Sequence, residues 1–206
     1  MLPQLTVTKG THLLALLALT ASLWTACEHP TKTAEHSKSP TPPPAAAMPP
    51  APPDAVPKDA VKGDFDGDGR AEYVWLTAPE VTDEMECKGE CTSYLRFSKA
   101  TLPAIAQANC IGGQPGNLGD LNGNGGDEIG LLPEWFTSCW AEYYVYTYRA
   151  GKWERLVKPF STHCNQWEAN VKPIEKDAAH PGHVLIRYTD FNDTTFAVLT
   201  KSVPVR

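Results

Sequence analysis

The apolar positions of the chain fall into three regimes. From Leu13 to Leu23 they run almost unbroken, a stretch too short to cross a bilayer as a mature helix. Between Glu28 and Lys62 they thin out among prolines. From Gly63 onward they return in short clusters that alternate with polar residues and are broken by Gly, Asp and Asn. Period-two clusters bounded by turn residues predict strands. The candidates are Glu72 to Leu76, Val81 to Glu86, Tyr94 to Ser98, Ala104 to Asn109, Glu128 to Leu132, Ala141 to Tyr148, Trp153 to Lys158, Val184 to Tyr188 and Phe196 to Val203. Arg149-Ala150-Gly151-Lys152 is a hairpin turn between two of them. No stretch past residue 62 carries the period of a long amphipathic helix. The region 63–206 is therefore predicted to be one all-β, antiparallel domain.

The first two regimes read as processing and spacing segments. Residues 1–26 combine Lys9, the apolar run and small residues leading to Cys27, the layout of an export signal. Leu23-Trp24-Thr25-Ala26-Cys27 resembles a bacterial lipobox, although Trp24 stands where an aliphatic residue is usual. The resemblance implies that Cys27 is acylated and that a lipid anchor attaches the protein to a membrane. Glu28 follows Cys27 where some bacteria use Asp for inner-membrane retention, which points to the outer membrane of the cell envelope. Residues 27–62 hold 10 of the 19 prolines. Such runs exclude helix and central strand and favour an extended, disordered Pro-rich tether.

Charge narrows the partners. From Gly63 onward the chain has 13 Lys and Arg against 20 Asp and Glu, a net of -7. An acidic domain without a basic stripe repels phosphate backbones, so no nucleic acid is expected. With Cys27 acylated, Cys87, Cys91, Cys110, Cys139 and Cys164 remain, and an exported location permits disulfides. Cys87 with Cys91 would close a small ring, and Cys139 with Cys164 would staple another segment, leaving Cys110 over. Spacing alone leaves the pairing open. A zinc site is weakly supported, because no second close Cys or His pair accompanies Cys87 and Cys91. His180-Pro181-Gly182-His183 reads as an exposed turn.

The most specific pattern occurs twice. Gly63-Asp64-Phe65-Asp66-Gly67-Asp68-Gly69-Arg70-Ala71-Glu72 runs into a strand candidate, and so does Gly119-Asp120-Leu121-Asn122-Gly123-Asn124-Gly125-Gly126-Asp127-Glu128. Counting from Asp64 and Asp120, oxygen-bearing side chains stand at positions 1, 3, 5 and 9 of both, with glycine at position 6. Calcium takes six to eight oxygen ligands in irregular geometry, so Asp64, Asp66, Asp68 and Glu72 form one candidate shell. Asp120, Asn122, Asn124 and Glu128 form the other. The backbone carbonyls of Arg70 and Gly126, at position 7, would complete them. The first loop is the more acidic and is expected to hold the ion more tightly.

A helix-flanked calcium hand needs an acid at position 12, where these loops have Trp75 and Leu131. The two segments instead resemble FG-GAP repeats of the integrin-alpha type. That resemblance implies calcium loops leading into propeller-blade strands, and an adhesion-like role. It covers roughly residues 62 to 164, enough for two to three blade-like units and not a closed ring, so a monomeric open stack is expected. Asp190-Phe191-Asn192-Asp193-Thr194 has the acids of a third copy without its glycines and reads as an ordinary turn.

Tyr144, Tyr146 and Tyr148 share one strand face, suited to sheet packing or, less simply, to stacking on sugar rings. No nucleophile elbow, phosphate loop or paired-histidine metal motif is present. The expectation is a non-enzymatic, calcium-binding envelope lipoprotein that meets a protein or glycan partner. An exported polysaccharide hydrolase or its accessory module is one alternative, and a purely structural envelope protein another.

Overall fold

The computed structural model describes residues 56–169 and 171–205. The expected leader, Cys27 and the tether as far as residue 55 lie outside the described residues. The rest forms three antiparallel sheets. In the first, β1 (Val61–Gly63), β2 (Glu72–Thr77), β3 (Thr92–Phe97) and β4 (Ile105–Ala108) follow one another as a meander. The second repeats that order with β5 (Gly112–Asn117), β6 (Ile129–Glu134), β7 (Trp140–Arg149) and β8 (Lys152–Arg155). β9 (Phe160–His163) pairs with the first half of β7. The third consists of β10 (Ile174–Lys176), β11 (His183–Thr189) and β12 (Val198–Pro204). The one helix among the described residues is the five-residue α1 (Cys164–Glu168), capped by the His163 side chain.

The middle sheet explains the packing. Along β7 the side chains alternate between two cores, as the pleat requires. Tyr146, flanked by Tyr144 and Tyr148, faces a core built with Phe65, Val74, Leu95, Phe97, Ile129 and Leu131. Tyr143 and Val145 face the other, with Leu121, Leu156, Phe160, Ile174 and Val184. Phe97 and Trp153 stack at 4.9 Å across the first core. Each such side chain contributes on the order of 1.5–3 kcal/mol when fully buried. The tyrosine ladder is thus packing: the Arg155 guanidinium lies 4.2 Å and 4.3 Å from the ring centroids of Tyr144 and Tyr146.

Several elements depart from the expected strand pattern. Val81 to Glu86 is not a strand. It is a turn closed by a single bridge between Val81 and Cys87, with Met85 at φ 60. Three acids and the small Cys87–Cys91 disulfide ring keep it short and exposed. The sheet also begins before Gly63, since Val61 and Lys62 pair with Val74 and Tyr73. β5 has the sequence Gly-Gly-Gln-Pro-Gly-Asn, and periodicity gives no hint of it. It survives as an edge strand, where a proline costs no central ladder bond. Cys139 pairs with Cys164, and Cys110 is buried and free.

Candidate functional site

The acidic segments are the β1–β2 and β5–β6 connections, and they share four hydrogen bonds. The position 1 carboxylate accepts from the backbone N–H groups of positions 5 and 6. Asp64 takes Asp68 at 3.1 Å and Gly69 at 2.8 Å; Asp120 takes Asn124 and Gly125, both at 3.2 Å. Position 5 accepts from the N–H of position 7, Arg70 at 2.9 Å and Gly126 at 2.8 Å. Position 9 accepts from the N–H of position 2, Phe65 at 3.0 Å and Leu121 at 2.5 Å. Phe65 and Leu121 are themselves plugs, one in each core. A buried apolar residue at position 2 and a buried glutamate at position 9 thus tie each loop to its sheet.

The loops also touch each other. Asp127 donates its backbone N–H to the Asp64 carbonyl at 2.7 Å. Its carboxylate accepts from Asp64 N at 3.1 Å and from the Asn117 amide at 2.8 Å. Gly67 makes the approach possible: its φ is +72, and a Cβ there would lie 3.1 Å from the Gly125 carbonyl carbon.

The two shells differ in what they face. In the first, Lys99 Nζ lies 2.5 Å from Asp66 Oδ2, 2.6 Å from Asp68 Oδ2 and 3.6 Å from Glu72 Oε1. The hydrogen bonds to Asp66 and Asp68 push the Lys99 ammonium above its usual range, and Lys99 holds the Asp68 carboxyl below its own. Burial raises Glu72, which is 4% exposed. In the second shell the amides of Asn122 and Asn124 donate to Thr147 Oγ1 at 3.0 Å and 3.4 Å. Glu128 is 1% exposed, and burial pushes its carboxyl up to about 7. Its Oε1 is buried and makes no hydrogen bond of normal geometry, and the Leu121 N–H, the Thr147 hydroxyl and the Asn122 N–H near the carboxylate do not offset that burial.

Both donor sets have the chemistry of a hard-cation site, all oxygen: carboxylates with a loop carbonyl in the first, and carboxylates, amides and a loop carbonyl in the second. Ligand oxygens of Asp64, Asp66 and Glu72 lie within 4.8 Å of one another, a span that one ion at about 2.4 Å from each would fit. Each loop keeps one buried carboxylate oxygen without a hydrogen-bond partner, Asp66 Oδ1 in the first and Glu128 Oε1 in the second. They differ in that the ammonium of Lys99 lies against the first loop, whereas the uncharged Thr147 lies against the second. Cys139, His163 and Cys164 also cluster, but both sulfurs are committed to the disulfide.

Sequence reasoning assembled the ten loop positions and missed three residues that complete them. Lys99, Thr147 and Asp127 were not singled out; of these, only Asp127, inside the second repeat, stood where a motif drew the eye. In the third sheet the connection equivalent to the acidic loops is 177–182, not Asp190 to Thr194, which is the turn between β11 and β12. There Asp177 accepts from Ser202 Oγ at 2.5 Å and pairs with His180 at 2.8 Å, which hold its carboxyl down at about 2. Trp140, His163, Phe191 and Phe196 form an aromatic cluster at the surface, with Phe191 70% exposed. The chain matches no family model, no curated protein and no solved structure.

Proposed function

We propose that this protein is a non-enzymatic, calcium-binding β-repeat module of a bacterial envelope, carried on a lipid anchor at Cys27 and a Pro-rich tether. The observation that carries the calcium reading is the buried Glu128 carboxylate, which keeps one unpartnered oxygen in a loop already shaped by Asp120 and faced by the uncharged Thr147. A buried carboxylate oxygen without a donor is costly, and a divalent cation is the partner that an acid of this kind accepts most strongly. Asp120, Asn122, Asn124, Glu128 and the Gly126 carbonyl would hold the ion. It would tie the β5–β6 connection to the buried face of the sheet and, through Asp127, to the neighbouring loop.

The blade-like reading of the three sheets rests on their order. Each of the first two is a four-strand meander whose first connection is an acidic loop, and the third is a three-strand meander without one. The FG-GAP resemblance supplies the adhesion-like role toward a protein or glycan partner, by analogy of motif alone. The loop carboxylates are engaged by backbone N–H groups rather than aimed at an open cleft, which favours a structural metal over hydrolysis.

Thermal melting of the full chain with calcium and with chelator tests the reading. An ion present at about 100 times its Kd stabilises the native state by about 2.7 kcal/mol, which for a domain of this size is roughly 5–10 °C. The shift should vanish in Asp120→Ala. A wild-type chain that melts identically in both solutions would end the calcium reading.

A further inference from the structure

The two repeats differ at one further place, and that place lies across the sheet rather than in the loop. In the first sheet Val74 pairs with Phe97, so two steps along the same register Glu72 falls opposite Lys99. In the second, Ile129 pairs with Tyr146, so one step along Glu128 falls opposite Thr147. Lys99 and Thr147 are therefore the same position of the repeat, each facing positions 3, 5 and 9 of its own loop. Where positions 3 and 5 are Asp66 and Asp68, the facing residue is an ammonium. Where they are Asn122 and Asn124, it is a hydroxyl. Three carboxylates converge on one nitrogen, and one of them belongs to the buried Glu72. An incidental surface ion pair has neither that convergence nor that match between repeats.

We propose that the ammonium of Lys99 is the resident cation of the first acidic loop, so that this loop keeps its shape without calcium and takes the ion only when Lys99 is removed. The more acidic loop is then the metal-independent one, and the second, whose Thr147 brings no charge, is the one that needs a metal. The inference rests on the proposed function only for the identity of the competing ion. The tethered charge has an entropic advantage over a free one, because it is already anchored two residues past β3.

The test replaces Lys99 with the residue that the second repeat carries at that place. Lys99→Thr in the full chain, melted in chelator, should fall several degrees below wild type as Asp64, Asp66, Asp68 and Glu72 lose their counter-charge. Calcium alone should recover that loss and add one bound ion per chain relative to wild type. Recovery should fail when Asp66→Asn and Asp68→Asn are added. Melting equal to wild type in chelator, or a calcium response no larger than that of wild type, would overturn the proposal. If the variant does not fold in chelator, refolding in calcium decides: a folded chain with the additional ion supports the proposal, and an unfolded one refutes it. The wild-type calcium shift, read separately and abolished by Glu128→Gln, reports on the second loop. Its absence would count against the proposed function and leave the Lys99 comparison intact.

Discussion

Replacing Glu128 with glutamine should act in opposite directions with and without calcium. Burial holds the folded-state pKa of this carboxyl at about 7, against an ordinary 4.5, and the Leu121 N–H, the Thr147 hydroxyl and the Asn122 N–H oppose the shift only in part. A folded state that binds the proton more tightly loses stability as pH rises from the unfolded value through the folded one. At about pH 8 the roughly 2.5-unit difference corresponds to at most about 3 kcal/mol of destabilisation in the metal-free chain. Glutamine retains an oxygen for the Leu121 N–H and carries no charge to bury. In chelator at about pH 8, Glu128→Gln should therefore melt above wild type, by up to roughly 10 °C. At about pH 4 the two should melt together. Saturating calcium should raise wild type and leave the variant where it was, because the ligand is gone. Differential scanning calorimetry at both pH values, with and without the ion, reads all four states. A variant less stable than wild type in chelator at about pH 8 would show that the carboxylate is satisfied without a metal. A variant that keeps its calcium shift would remove Glu128 from the site.

Two further perturbations probe the frame around the loops. Asp127→Ala removes the acceptor shared by Asp64 N and the Asn117 amide, and should cost about 1–3 kcal/mol in denaturant melts; a neutral result would mean that the loops are not braced against each other. Asp177 owes its low pKa first to the Ser202 hydroxyl and then to His180, so its contribution is present above about pH 4 and is lost as pH falls through about 2. Asp177→Asn should flatten the acid-unfolding curve in that window, and an unchanged slope there would contradict the assignment.

The β-rich class and the repeat were legible in the sequence because both are local. Alternation along Ala141 to Tyr148 marks β7, and the oxygen-bearing positions of each loop lie within nine residues of one another. The hairpin at Ala150 and Gly151 was equally plain, and both residues adopt positive φ, as a tight two-residue turn between twisted strands requires. β5 was hidden because its Gly and Pro carry no strand propensity, and only pairing with β6 makes it one. The charge state of the first loop was hidden for a different reason. Its four acids advertise a metal, while the cation that faces them lies 31 residues beyond Asp68 and arrives by strand register. The second loop looked weaker because its asparagines lower the charge, yet the residue that faces it is the uncharged Thr147, whereas the first loop, which also keeps a buried unpartnered oxygen at Asp66, has Lys99 against it. Counting acids ranks the loops in one order, and accounting for the counter-charge that faces them ranks them in the other.

Calorimetric titration of the full wild-type chain with calcium, from a chelated and dialysed start, tests the central claim most directly. The account predicts one ion per chain, bound at the second loop and lost in Asp120→Ala, while Asp66→Asn leaves the titration unchanged. Two ions per chain, or one that disappears with Asp66→Asn and survives Asp120→Ala, would contradict it.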